Sequence, residues 1–130
     1  MYRWVEHTAE LELQIEAATE DEVFEDALAA FAELVGDGES GALERRRIVA
    51  DAADRATLLA QWLEELVYLA ETEDFVPERL ASLELEETRL QAEVEGRSGA
   101  PPHLVKAVTY HGLELVHDGK NWRARTILDV

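Results

Sequence analysis

Leu11, Leu13 and Ile15 alternate with Glu12, Gln14 and Glu16, the period of two expected of a strand with one buried face. Residues 1–18 are read as that strand, with His7-Thr8-Ala9-Glu10 at its start or in the loop leading in. The period then changes. Phe24, Ala27, Leu28, Phe31 and Leu34 recur every three or four positions, with Glu22, Asp26 and Glu33 opposite, which predicts an amphipathic helix over about 20–35. Thr19 followed by Glu22 fits a capping box, the three acids of the first turn suit the helix dipole, and Gly36 supplies the stop. Asp37 to Gly41 reads as a loop, and Leu43 to Ala50 as a second strand. Asp54 caps a second helix running to about Glu71, with Leu59, Trp62, Leu63, Leu66 and Leu69 as its apolar stripe.

Phe75-Val76-Pro77 is expected to break that helix. Leu83 and Leu85, then Leu90, Ala92 and Val94, alternate with polar residues, predicting two antiparallel strands joined near Glu87-Thr88. Gly96 to Pro102 reads as a flexible surface loop. Leu113–Val116 and Trp122–Leu128 flank Asp118-Gly119, a hairpin signal, because glycine accepts the positive φ of such turns. Two helices followed by a run of strands predict an α+β fold: a mainly antiparallel sheet with both helices packed on one face, in two layers. At 130 residues the chain suits one domain, 1–130, rather than two.

Charge changes this picture most. The formal net charge is −17, and residues 1–40 carry twelve acids against one base, whereas residues 103–130 carry three acids and four bases. Such a field repels phosphate backbones, so no direct nucleic-acid binding is expected; it attracts cations or a basic protein surface, or it serves solubility alone. No cysteine is present, which excludes disulfides, thiolate metal sites and cysteine nucleophiles. The N-terminus lacks a signal-peptide core and no apolar run is long enough for a membrane span, so a cytoplasmic location is the expectation.

Neither a glycine-rich phosphate loop nor HExxH nor GxSxG occurs. Abundant carboxylates suit a hard cation such as calcium, magnesium or manganese. Glu10 and Asp129 would meet if the first and last strands were neighbours, and Val130 would add its α-carboxylate. Lys106, in an apolar stretch with few other bases, could hold a phosphate or a partner's acid, or simply face solvent. Arg45-Arg46-Arg47 alternate faces within a strand, so ion pairs with nearby acids are expected rather than a phosphate clamp. Trp62 and Tyr68 are assigned to core packing.

His7-Thr8-Ala9-Glu10, the helix segment Leu58 to Tyr68, the block Lys106-Ala107-Val108-Thr109-Tyr110-His111, Trp122 and the closing Leu128-Asp129-Val130 occur in the order found in the archease family, which the chain resembles from residue 4 to residue 130. The resemblance implies a protein cofactor rather than an enzyme, one that activates an RtcB-type RNA ligase in tRNA splicing or RNA repair. It would do so by promoting the ligase's metal-dependent guanylylation and multiple turnover. It also implies a calcium site (Ca2+, with Mg2+ or Mn2+ as alternatives) at Glu10, Asp129 and Val130, and a functional lysine at Lys106. His7 and His111 belong to the same blocks and join the partner-facing set. Family members usually carry Asp where Glu10 stands; glutamate is one methylene longer, a change calcium tolerates better than magnesium. Two other readings stand beside this one: a stand-alone metal-dependent phosphoester hydrolase using Glu10 and Asp129, and a general chaperone-like binding protein. Oligomeric state is not legible.

Overall fold

The computed structural model describes residues 1–36 and 41–130. Its order is β1 (Tyr2–His7), β2 (Glu10–Ala17), α1 (Glu20–Val35), β3 (Leu43–Asp51), α2 (Arg55–Thr72), β4 (Phe75–Leu85), β5 (Arg89–Ser98), β6 (Ala107–His117) and β7 (Trp122–Asp129). The α+β class and the antiparallel pairing agree with the sequence reading, but the strands form two sheets: β1-β2-β7-β6 and β3-β5-β4. Each helix contacts both of them, so the apolar stripes of the helices and the inner faces of the sheets close on one core.

The local signals explain both helices. Thr19 Oγ1 accepts the Glu22 N–H at the start of α1, and the Gly36 N–H returns to the Ala32 carbonyl at its end. Asp54 Oδ1 accepts the Thr57 N–H at 2.8 Å and opens α2. Trp62 is fully buried and its Nε1–H donates to the Phe24 carbonyl at 3.0 Å, tying α2 to α1. Tyr68 differs from expectation. It is 49% exposed, one position past the buried stripe, and does not join the core.

Three boundaries moved. Residues 1–18 form two strands rather than one, with Thr8-Ala9 as the turn between His7 and Glu10. The second helix ends at Thr72, ahead of Phe75-Val76-Pro77 as expected, but β4 begins there rather than nearer Leu83, with all three residues buried. Proline is tolerated there because β4 is an edge strand and its pairing with β5 slips just after Pro77. Gly96 belongs to β5 rather than to a flexible loop, since a β-carbon there would collide with the Val76 carbonyl oxygen and the Phe75 ring. Pro101, within the same expected loop, is buried. The loop expected over Asp37–Gly41 lies, apart from Gly41, outside the described residues.

The arginine run behaves as an alternating strand should. Arg45 pairs with Glu93 and Glu95 across β5, Arg47 donates to Gln91, and Arg46 turns to Glu44 and the Phe75 ring. No helix is long and apolar enough to cross a membrane among the described residues.

Candidate functional site

Antiparallel pairing collects three distant parts of the chain at one end of the four-stranded sheet. His7 pairs with Glu10, Glu10 with Asp129, and Asp129 with Ala107, in a single cross-strand row. Opposed residues of an antiparallel pair share a face, so Glu10 and Asp129 present their carboxylates side by side. The Lys106 N–H donates to the Asp129 carbonyl at 2.8 Å, and the Val130 N–H reaches the Ala9 carbonyl at 3.4 Å. Those two backbone bonds fix the start of β6 and the end of the chain to the same turn. Glu10 and Asp129 are half-buried, while Lys106, His7 and Val130 are exposed.

The turn carries strain. Ala9 sits at φ 61°, a left-handed conformation that costs a side-chain-bearing residue about 1 kcal/mol or more and gathers at functional positions. A tight two-residue reversal at this point lets Glu10 begin β2 directly opposite Asp129.

Behind this row stands Glu12, with only 7% of its surface exposed, opposite Val5 and Ile127. Its Oε2 accepts from Gln14 Nε2 at 2.6 Å and its Oε1 lies 3.2 Å from His7 Nε2. The Gln14 amide, then His7 and the nearby Arg125, hold its carboxyl below the usual range against the opposing effect of burial. His7 is thereby held to the sheet through its Nε2. Period-two reading marked Glu12 only as an outward polar position; its apolar cross-strand neighbours, the signal of its burial, become visible only with the register.

His111 is not part of this row. β6 slips against β7 between Thr109 and Glu114, and His111 lies exposed in that irregular stretch. Tyr110 beside it accepts from Gln61 Nε2 at 2.8 Å, and burial followed by the Glu64 carboxylate raises its phenol above the ordinary value.

The donors at the row are hard oxygens, which fits calcium in kind. Their number is small. Among the described residues no three His, Asp or Glu side chains converge closely enough to hold a metal by themselves, so water or a partner would have to complete a coordination shell around Glu10, Asp129 and the Val130 carboxylate. Among the described residues, Glu10, Lys106 and Asp129 line none of the four concavities bounded by residues such as Arg3 and Arg125, Trp4 and Glu33, Arg47 and Glu93, or Asp21 and Leu83. The row is an open surface, whereas small-substrate sites are usually concave.

Residues 2–130 match the archease protein family. A protein archease of Methanosarcina mazei is 30% identical over 140 residues, covering 99% of this chain and 95% of that protein. A second, from Methanothermobacter thermautotrophicus, is 34% identical over 120 residues, covering 85% and 84%. Of solved structures, protein 1598 of Methanobacterium thermoautotrophicum superposes with a TM-score of 0.70 at 25% identity, covering 99% of this chain and 98% of that one. A Thermotoga maritima protein, described as an archease and possible chaperone, superposes with the same TM-score of 0.70 at 20% identity and shows the shared fold. With a family match over essentially its whole length and relatives of the same size, this chain belongs to the archease family.

Proposed function

We propose that this protein is a non-enzymatic cofactor that activates an RtcB-type RNA ligase, promoting its metal-dependent guanylylation and its multiple turnover. The observation that carries the reading is the convergence of Glu10, Asp129 and Lys106 on an exposed sheet end rather than in a cleft. An open row of acids beside a lysine suits insertion against a larger partner; a stand-alone phosphoesterase would need to enclose its substrate. The net charge of −17 favours a basic protein surface over RNA itself.

Glu10, Asp129 and the Val130 carboxylate would hold the cation. A bound divalent ion would supply positive charge to orient phosphate oxygens for in-line transfer. In this arrangement Lys106 faces an acidic group of the ligase or a phosphate of its nucleotide, and Glu12 keeps His7 against the sheet so that the turn stays shaped.

The test is multiple-turnover ligation by the cognate ligase with and without this protein. The reading expects stimulation at substoichiometric amounts of the protein. Absence of stimulation, with aggregation of unrelated clients suppressed instead, would favour the chaperone-like reading suggested by the description of the Thermotoga maritima relative.

A further inference from the structure

The same outer face of the β1-β2-β7-β6 sheet carries a second constellation, two strand periods away from the acidic row. Arg3, Gln14 and Arg125 form one cross-strand row, placed about 13 Å along the strands from Glu10 and Asp129. Arg3 and Arg125 stand two strand spacings apart, about 10 Å between their Cα atoms, with Gln14 between them. Both line a shallow depression of about 420 Å³.

Each guanidinium is oriented by a neutral acceptor. Arg3 Nε donates to Gln14 Oε1 at 2.7 Å, and Arg125 Nε donates to the Gly112 carbonyl at 3.1 Å. Gly112 lies in the irregular stretch of β6 at φ 70°, and a β-carbon there would collide with the Arg125 guanidinium. The missing side chain is the space that Arg125 occupies. Nearly all other arginines of this acidic chain pair with carboxylates, including Arg123 in the same depression, which is held by Asp118 and Glu16. Among the described residues, Arg3 and Arg125 form no such pair, although Glu114 is the direct cross-strand neighbour of Arg125.

We infer that this depression is an oxyanion site for a phosphate-class group, with Arg3 and Arg125 as its ligands and Gln14 and Gly112 as the residues that orient them. Arg3 turns toward Gln14 and Arg125 toward Gly112 on β6, and both line the depression; forks without a carboxylate partner suit a group with several oxygens and two charges better than a single carboxylate. Glu16, paired with Arg123, and Glu114 are the acids that line the depression, and the Met1 ammonium, paired with Asp26, lines it as well.

Inorganic phosphate is the probe. The arginine Nε–H resonances are followed by NMR during titration at pH 8 and constant ionic strength, in metal-free buffer so that no cation at the Glu10–Asp129 row recruits the anion. The inference expects saturable shifts at Arg3 and Arg125 with Arg45 unmoved, and at least tenfold weaker binding in R125Q. R3Q alters an exposed side chain without touching the core, so the same loss in R3Q excludes misfolding as its cause. Non-saturating shifts shared by all arginines, or affinity retained in R3Q and R125Q, would overturn the site. Acetate saturating the same resonances as tightly as phosphate would overturn the phosphate assignment.

Discussion

Replacing Trp62 with Phe tests whether the two helices are joined as described. The indole is fully buried and its N–H donates to the Phe24 carbonyl at 3.0 Å. Within α1 that carbonyl also accepts a helical N–H, so the substitution removes one donor without leaving the acceptor unpartnered, a net loss of about 1 kcal/mol. The phenyl ring is smaller by roughly 40 Å³, and at about 24 cal/mol per Å³ the unfilled space adds about 1 kcal/mol. A destabilisation of about 2 kcal/mol follows, or roughly 8 °C in Tm for a domain of this size. Urea unfolding followed by circular dichroism reads it as a lower midpoint at unchanged slope. Trp122→Phe serves as the comparison, since Trp122 is only half-buried and lies at the start of β7. A loss below about 0.5 kcal/mol for Trp62→Phe would refute both the burial and the bond.

Three further outcomes follow from particular contacts. Glu12 titrates below the ordinary range in the folded protein, first through its bond from Gln14 and then through His7, so its contribution is present above the unfolded value of about 4.3 and disappears as pH falls through the folded one; the Tm gap between native protein and Glu12→Gln should therefore narrow in acid, and a gap constant from pH 7 to about pH 2 would contradict the Gln14–Glu12–His7 arrangement. Gly96→Ala should destabilise by about 1–3 kcal/mol through its collision with the Val76 carbonyl; thermal unfolding equal to that of the native protein would place Gly96 back in a loose loop. Tyr2 donates its hydroxyl to Glu33 at 2.7 Å and its pKa is pushed up to about 12, first by that bond and then by burial. In an ultraviolet titration Tyr2 should be the last tyrosine to ionise, beyond pH 11 (about one unit past the usual value), and Tyr2→Phe should remove that last step while leaving the smaller upward shift of Tyr110.

Helices were legible because their determinants are local. Thr19, Asp54 and Gly36 state where each begins or ends, and a stripe spaced by three and four states which face is buried. The strands were legible in number only where alternation was clean. Tyr2 to His7 lacks it, because Tyr2 and Trp4 face the core beside α1 while Arg3 and Val5 share the outer face with Glu12; both sets mix polar and apolar residues. Division into two sheets depends on which strands neighbour each other across the helices, which no local pattern records. The same holds for the site. Glu10 and Asp129 could be named as candidates from the family blocks, but their opposition arises from the β2–β7 register, and Glu12 acquires its environment from Val5 and Ile127 on two other strands. Arg125 was counted only as a base. Its orientation depends on a slip in β6 and on the absence of a side chain at Gly112, features that exist only once the strands are paired.

The most direct test of the central claim is guanylylation of the cognate RtcB-type ligase in the presence of native protein, Asp129→Ala and Lys106→Ala, with Arg47→Gln on the three-stranded sheet as the control. Activation by native protein and Arg47→Gln, with at least a tenfold loss in both Asp129→Ala and Lys106→Ala, is the result expected if the exposed row is the working surface and Glu10 serves in place of the family's aspartate. Undiminished activation by folded Asp129→Ala and Lys106→Ala would contradict it.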